Sequence, residues 1–162
     1  MSGSAPGKRS PYITPVGFAA LEAEADDLWK RRREVVKHLS AAAAEGDRSE
    51  NAEYIYRKKQ LREMDRRIRY LQKRLPELEV VRRDGNAAVD KVYFGAAVTL
   101  EDEQGDKVVY RIVGSDEFNP GHGWISIDSP VARALLGRVL EDEVSVRTPG
   151  GDRLYWVVDI TY

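Results

Sequence analysis

Two long stretches with an apolar residue every three or four positions constrain the fold of this chain more than any other feature. Each keeps this spacing for more than three heptads, which is typical of helices that pack along a narrow stripe. The connection between them is short, so the two helices are expected to be antiparallel neighbours, each about 40 Å long. The seam consists of Phe18, Leu21, Ala25, Leu28, Arg32, Val35, Leu39 and Ala42, and then of Tyr54, Arg57, Leu61, Met64, Ile68, Leu71, Leu75 and Leu78.

Local signals place the ends of these helices. Thr14 followed by Pro15 is a favourable start, with a hydroxyl at the N-cap and proline in the first turn. The first helix is expected to run to about Ala44, and the second from about Ser49 to Leu78. The hairpin is thus predicted over residues 12–81, with its turn at residues 46–54, after a flexible tail over residues 1–11.

Composition excludes several classes of protein. The 162 residues are 42% hydrophobic and 33% charged, as expected of a soluble folded chain, and there is no cysteine for a disulfide or a cysteine-bound metal. No apolar run approaches the ~20 residues that span a bilayer, and the first residues lack the apolar block of a signal peptide. We therefore expect a cytoplasmic protein without a membrane partner.

The last part of the chain changes to short runs rich in β-branched and aromatic residues. Turn-like segments at 103–106 and 149–152 separate some of them, and Ser129-Pro130 begins one short helix that Gly137 ends. With residues 82–90 as a linker, residues 91–162 are predicted to form a small, mostly antiparallel sheet with one helix. The fold class is α+β. The predicted strands are Val92 to Leu100, Lys107 to Val113, Trp124 to Ile127, Val144 to Arg147 and Leu154 to Ile160.

Asp47 and Glu50 lie three residues apart in the predicted turn, and two interpretations of them are open. An acidic residue followed by Glu three positions later is a capping box, in which both carboxylates bind backbone amides of the second helix. Alternatively, both carboxylates help to hold Mg²⁺, which commonly takes one or two protein carboxylates and completes its shell with phosphate oxygens and water. Such an ion would be shared with a second macromolecule.

The charge of the chain is strongly segregated. Lys30 to Arg74 contain 15 Lys/Arg and 7 Asp/Glu, a balance of +8, whereas the whole chain carries −1, which leaves −9 for the remainder. Five cations recur at steps of three and four on the second helix, facing away from the seam, with Lys58, Arg67 and Arg74 beside them. This basic stripe consists of Lys59, Arg62, Arg66, Arg69 and Lys73.

Two interpretations of the basic stripe are also open. It is either a solvated face with local ion pairs, such as Glu63–Arg67 and Asp65–Arg69, or a surface that binds a polyanion. The excess of bases over acids favours the polyanion. The pattern does not distinguish RNA from DNA.

Two motifs resemble a known family. Gly46-Asp-Arg-Ser-Glu-Asn-Ala-Glu-Tyr54 resembles the tip motif of the Gre transcript-cleavage factors of bacterial RNA polymerase, and Ile125-Ser-Ile-Asp-Ser-Pro-Val-Ala-Arg-Ala-Leu-Leu-Gly137 resembles the signature of their C-terminal domain. The basic run Tyr56 to Tyr70 is more similar to the GreB branch than to the GreA branch. The resemblance covers about residues 12–162. It implies a coiled-coil hairpin followed by a domain of FKBP-like fold.

The resemblance also implies a function and a set of residue roles. The globular domain would dock at the rim of the polymerase secondary channel, and the hairpin would enter the channel to meet the 3′ end of backtracked RNA. The protein would act as a monomer and stimulate the polymerase's own cleavage of that RNA. Implied roles are Asp47 and Glu50 as catalytic acids that share Mg²⁺ with polymerase, Arg48, Asn51 and Tyr54 as tip support, Lys58 and Lys59 as RNA contacts, and Asp128, Ser129, Pro130 and Arg133 as the docking signature.

Two other functions are alternatives to this one. A channel-binding regulator of initiation, similar to DksA, would share the shape and the tip acids without cleavage activity. A prolyl isomerase of FKBP type would need an apolar aromatic pocket, which the strand pattern does not indicate. Both tip acids together with the basic stripe favour the cleavage factor.

Overall fold

The computed structural model describes residues 9–46, 51–83 and 90–162. The chain divides into two compact units: one combines the segment up to Gly17 with the segment from Glu79 onward, and the other is Phe18–Leu78. Among the described residues, no helix is both long and apolar enough to cross a membrane.

The unit Phe18–Leu78 is the predicted helical hairpin. Helix α1 spans Pro15–Ala43 and helix α2 spans Ala52–Arg74, followed by a 3₁₀ turn over Leu75–Glu77. The residues buried in α1 recur every seven positions, and those in α2 follow steps of three and four, as the seam predicts. The buried apolar positions are Leu21, Leu28, Val35 and Ala42 in α1, and Met64, Ile68 and Leu71 in α2.

The helix ends agree with the prediction in α1 and differ in α2. Thr14 Oγ1 accepts a hydrogen bond from the Gly17 amide at 3.1 Å, so the predicted N-cap of α1 is confirmed. Helix α2 begins at Ala52 rather than at Ser49, and its α-helical part ends at Arg74. Pro76 lies within the 3₁₀ turn that follows, because its ring and its missing N–H do not fit an α-helix interior.

The second unit is built on a five-stranded sheet in which neighbouring strands are antiparallel except for one parallel pair. A separate two-residue parallel pair joins the two distant segments of this unit, and sequence patterns missed it because each strand is so short. The strands are β1 Tyr12–Ile13, β2 Glu79–Val80, β3 Ala97–Asp102, β4 Lys107–Val113, β5 Trp124–Ser126, β6 Glu143–Thr148 and β7 Gly151–Thr161. The order in the five-stranded sheet is β5-β4-β3-β7-β6, and its parallel pair is β4 with β5.

One predicted strand is partly wrong. The alternation from Val92 to Leu100 predicts a single strand, but β3 begins at Ala97. Val92 and Phe94 are buried like strand residues, yet a turn at Phe94 and Gly95 interrupts the run, and Gly95 has φ of +89°. Glycine adopts that conformation without the penalty other residues incur. Alternation of burial therefore continued through an irregular segment.

Helix α3 covers Pro130–Leu135 and packs its apolar side on the sheet core. The predicted Ser129 cap is confirmed, since the hydroxyl accepts from the Ala132 amide at 3.1 Å. The predicted stop at Gly137 is also present, with φ of +82°. The core residues are Val92, Phe94, Ala96, Val98, Leu100, Ile112, Ala132, Leu135, Val144, Val146, Tyr155 and Val157.

The segment that precedes α1 belongs to the sheet unit. The sequence had instead assigned this segment to a tail over residues 1–11 and to the hairpin from residue 12. Ser10 donates to both Asp128 carboxylate oxygens, from its amide at 3.0 Å and its hydroxyl at 2.5 Å, and Arg9 lies 3.8 Å from Asp116. These contacts fall within the predicted tail over residues 1–11, of which residues 1–8 lie outside the described residues. Residues 84–89 of the predicted linker also lie outside them.

Glu117 holds this N-terminal segment against the sheet unit. Its carboxylate accepts hydrogen bonds from the Thr14 amide at 3.0 Å, from the Gly114 amide at 2.8 Å and from the Thr14 hydroxyl. Space for this arrangement depends on Gly114, where an added Cβ would lie 2.2 Å from the Tyr12 carbonyl oxygen. Three donors on one half-buried carboxylate make it a local anchor.

We predict that Glu117→Ala loosens the start of α1 without unfolding the sheet. Amide exchange at Thr14 and Gly114 should accelerate, because leaving partly buried donors unsatisfied costs about 1–3 kcal/mol. Hydrogen exchange measured by NMR would test this. Glu143→Ala is the matched control, since Glu143 is exposed in β6 of the same unit. Unchanged exchange at both amides would contradict the anchoring role.

Candidate functional site at the hairpin turn and on helix α2

The turn between the helices carries the predicted acids, and the structure describes part of it. Asp47, Arg48 and Glu50 lie outside the described residues, so their predicted roles remain predictions. Asn51 and Tyr54 are described and belong to the first turn of α2 and its cap. The described part of the site consists of Asn51 and the residues that follow it on α2.

Asn51 joins the two helices at the turn. Its side-chain oxygen accepts from the Tyr54 amide at 3.1 Å, which caps α2, and its side-chain nitrogen donates to the Ala42 carbonyl at 2.7 Å. The first contact caps the start of α2, and the second adds a hydrogen bond to a carbonyl near the end of α1 that also accepts from the Glu45 amide. One amide side chain thus fixes where the two helices meet.

The capping-box interpretation of Asp47 and Glu50 is wrong for this helix, because Asn51 occupies the N-cap position. Asparagine caps about as well as aspartate, and its NH₂ group supplies the donor for Ala42 that a carboxylate lacks. Helix α2 therefore does not need Asp47 as its cap.

The predicted basic stripe is a real surface feature of α2. All five of its cations are exposed, as is Lys58, whose amine lies 5.9 Å above the Tyr54 ring. Within the described residues, none of the five stripe side chains forms an ion pair or hydrogen bond. Their charges are therefore not engaged in ion pairs with other described side chains.

Acids that could have neutralised the stripe are used across the hairpin instead. Arg32 on α1 donates to Asp65 at 2.7 Å, and Arg67 donates to both carboxylate oxygens of Glu24 at 2.6 and 2.8 Å. The hydrogen bond from Arg67 lowers the pKa of Glu24, and the bond to Asp65 raises the pKa of Arg32. The local pair that the spacing suggests between Asp65 and Arg69 is not formed.

Arg74 does not belong to the exposed surface that the sequence suggested. It is 8% exposed, and its guanidinium lies 3.8 Å from Glu77. Its position three residues after Leu71 places it on the buried side of α2 near the 3₁₀ turn. The stripe keeps its five members, and Arg74 is removed from its flank.

The residues of the predicted docking signature divide into structural and exposed ones. Asp128 binds Ser10, Ser129 caps α3, and Pro130 is the first residue of that helix. Arg133 is exposed and has no partner among the described residues. A docking role stays a prediction for all four, and Arg133 is the member with no other contact to maintain.

Sequence reasoning missed one exposed aromatic residue at this site. Tyr56 is 57% exposed and lies three positions before Lys59, beside the end of the stripe that is nearest to the turn. The available signal was its place in the same three-four series, since a step of three back from Lys59 reaches Tyr56. Its neighbour Ile55 is 54% exposed.

No group of three or more His, Cys, Asp or Glu side chains converges in the described part of the chain. Asp47 and Glu50 together offer at most two carboxylates, a donor set that suits Mg²⁺ when other ligands complete its shell. The donor chemistry of the turn is thus compatible with a shared hard cation.

Comparison with known proteins gives matches over nearly the whole chain. Residues 11–80 match the family model described as "Transcription elongation factor, N-terminal", and residues 86–162 match "Transcription elongation factor, GreA/GreB, C-term". The chain belongs to the GreA/GreB family. Members of this family are transcription elongation factors, so the protein is an accessory to RNA polymerase. These matches do not favour the DksA-like alternative.

Two GreB proteins agree with the family assignment. GreB of Xanthomonas axonopodis pv. citri is 58% identical over 160 residues, which cover 96% of this chain and 93% of that protein. GreB of Yersinia pestis is 54% identical over 155 residues, covering 95% and 90%. The crystal structure of GreA factor homolog 1 (Gfh1) of Thermus thermophilus shares 27% identity with a TM-score of 0.43, covering 95% of this chain and 100% of that one.

We predict that Asn51→Ala destabilises the hairpin by about 1–2 kcal/mol, because it removes both the N-cap and the donor to Ala42. Asn51→Asp keeps the cap oxygen and should lose less. Thermal unfolding followed by far-ultraviolet circular dichroism would measure the stability of both variants. Equal stability of the alanine variant and the parent would show that Asn51 does not hold the turn.

Proposed function

We propose that this protein stimulates RNA polymerase's own Mg²⁺-dependent cleavage of nascent RNA, by inserting the hairpin into the secondary channel that receives the 3′ end of a backtracked transcript. The observation that carries the proposal is the row of exposed cations on α2 that form no ion pair within the described residues, and it begins just after the turn that contains Asp47 and Glu50. Membership of a family of transcription elongation factors supplies the polymerase as partner.

The stripe supports a polyanionic ligand on energetic grounds. Like charges three or four positions apart on a helix destabilise it by a few tenths of a kcal/mol per pair, and the stripe contains such neighbours from Lys59 to Lys73. Phosphates neutralise such a row and release counterions, which makes binding favourable and dependent on salt. Lys58 and Lys59 lie nearest to the turn, so we assign to them the first contacts with extruded RNA.

The tip acids are proposed to act on the water that attacks the RNA. When bound between these acids and carboxylates of the polymerase, Mg²⁺ supplies a more acidic water and stabilises charge on phosphate oxygens. Asp47 and Glu50 would provide carboxylate oxygens to the ion. They would also accept a hydrogen bond from the water and so orient it. Arg48 and Tyr54 are proposed to support this arrangement, and Asn51 fixes the start of α2 behind it.

The sheet unit is proposed to dock on polymerase at the channel rim. Arg133 is the candidate contact, since it is exposed and forms no ion pair within the described residues. Asp128 is a poor site for a docking test, because its carboxylate already binds Ser10, and a change there disturbs the N-terminal segment. We propose that the protein works as a monomer in the cytoplasm.

We predict that Asp47→Asn combined with Glu50→Gln reduces transcript cleavage to the unaided rate of polymerase. The change removes two negative charges and most of the affinity for a hard cation, while Asn51 still caps α2. The assay uses halted, backtracked polymerase with labelled RNA and measures shortening of the transcript. Raising the Mg²⁺ concentration should restore part of the rate, because orientation of the water is also lost.

The matched control is Glu22→Gln combined with Asp26→Asn, which removes the same charge from an exposed face of α1. This control should cleave at the parent rate. Polymerase binding and helical content should be unchanged in both double variants. Normal cleavage by the Asp47/Glu50 variant would overturn the proposed function.

A further inference from the structure

We propose that Tyr56 is a stacking platform for an unpaired RNA base. Single-stranded RNA is then the ligand of the stripe, and Tyr56 binds it at the end of the stripe nearest to the turn. This inference rests on the proposed function for the RNA partner and extends it to a residue and a mode of recognition. Proteins that bind single strands without sequence preference combine a basic track for the backbone with aromatic side chains for the bases. Helix α2 has both parts.

Tyr56 lies beside the end of the row of cations that is nearest to the turn. It precedes Lys59 by three residues, so these two side chains are neighbours on the surface of α2, turned by about 60° around the helix axis. From Tyr56 to Lys73 the row extends about 25 Å along the helix axis. The aromatic ring therefore stands at the end of the row that is nearest to the turn.

The ring is exposed and held in place. Its side chain is 57% exposed, although a tyrosine of this size is commonly half-buried or more. The Arg57 guanidinium lies 5.4 Å from the ring centroid, and two hydrogen bonds fix that guanidinium: to Glu53 at 2.8 Å and to Gln60 at 3.1 Å. A positioned cation at the ring restricts its motion, which reduces the entropy lost when a base binds.

The arrangement also removes a repulsive charge from the path of the RNA. Glu53 is the acid nearest to Tyr56 in the first turn of α2, and its carboxylate is paired with Arg57. The surface that faces a nucleotide at Tyr56 thus combines an aromatic ring with neighbouring cations. Bases inside a duplex are stacked on each other and cannot reach the ring, so the platform selects unpaired RNA.

The test measures binding of the free, full-length protein to three fluorescent 12-nucleotide probes by anisotropy at low salt. The probes are an unpaired RNA strand, the same backbone with every base removed, and a blunt RNA duplex. Tyr56→Ala is expected to weaken binding of the unpaired strand about 5- to 100-fold, the loss expected for one stacked base. Binding of the base-free strand and of the duplex should change less than about twofold.

Three control variants separate stacking from other causes. Tyr56→Phe retains the ring and should bind the unpaired strand like the parent. Ile55→Ala removes exposed apolar surface from the same turn and should also leave binding unchanged. Lys59→Gln should weaken all three probes and lower the slope of log affinity against log salt by about one.

Several outcomes would overturn the inference. These are parent-like binding of the unpaired strand by Tyr56→Ala, an equal loss on the base-free strand, or no binding of any probe by the parent protein. The measurement uses no polymerase and no change at Asp47 or Glu50. Failure of the inference is therefore distinguishable from failure of the proposed function, which the cleavage assay reports.

Discussion

The narrow apolar stripe between α1 and α2 is the interaction on which the functional surface depends. Coiled-coil packing buries only a strip of residues along each helix, such as Leu28 on α1 and Ile68 on α2. The outer face of α2 is therefore not needed for packing. Cross-helix ion pairs then extend the packing at its margins. These pairs use Asp65 and Glu24, two of the acids that could otherwise have offset the cations of α2.

This arrangement explains why the cations of the stripe form no ion pairs with described side chains. Exposed ion pairs contribute about 0–1 kcal/mol each, so the two cross-hairpin pairs add little to the free energy of folding. Their larger effect is electrostatic, because an acid engaged by Arg32 or Arg67 no longer neutralises the stripe. The outer face of α2 thus retains exposed cations, a surface that suits the polyanion of the proposed function.

The sequence predicted the hairpin, its α1 cap at Thr14 and the α3 cap at Ser129, because periodicity and capping are local properties. It placed the α2 cap at Asp47, since the motif could not show that Asn51 reaches the Ala42 carbonyl on the other helix. Long-range partners are the common cause of the misses. The partner of Asp65 lies 33 residues away, and no local spacing rule identifies it.

The sheet unit shows the same limit. The turns at 103–106 and 149–152 have strong compositional signals, and both connect adjacent antiparallel strands. The pairing of β1 with β2 and the anchoring of Thr14 by Glu117 join segments far apart in sequence, so no local pattern predicts them. The exposure of Tyr56 could have been predicted from the helical spacing, but that spacing was applied only to Lys and Arg.

If the protein acts as proposed, the turn of the hairpin, and not another part of the protein, lies beside the extruded RNA. The chain has no cysteine, so one can be introduced and coupled to an iron chelate that cuts nearby RNA by hydroxyl radicals. Ala41→Cys places the chelate near the turn, and Ala20→Cys places it about 30 Å away along α1; both positions are exposed. The account predicts cuts in the extruded RNA of backtracked complexes from Ala41→Cys and none from Ala20→Cys. Equal cutting from both positions, or cutting from Ala20→Cys alone, would contradict it.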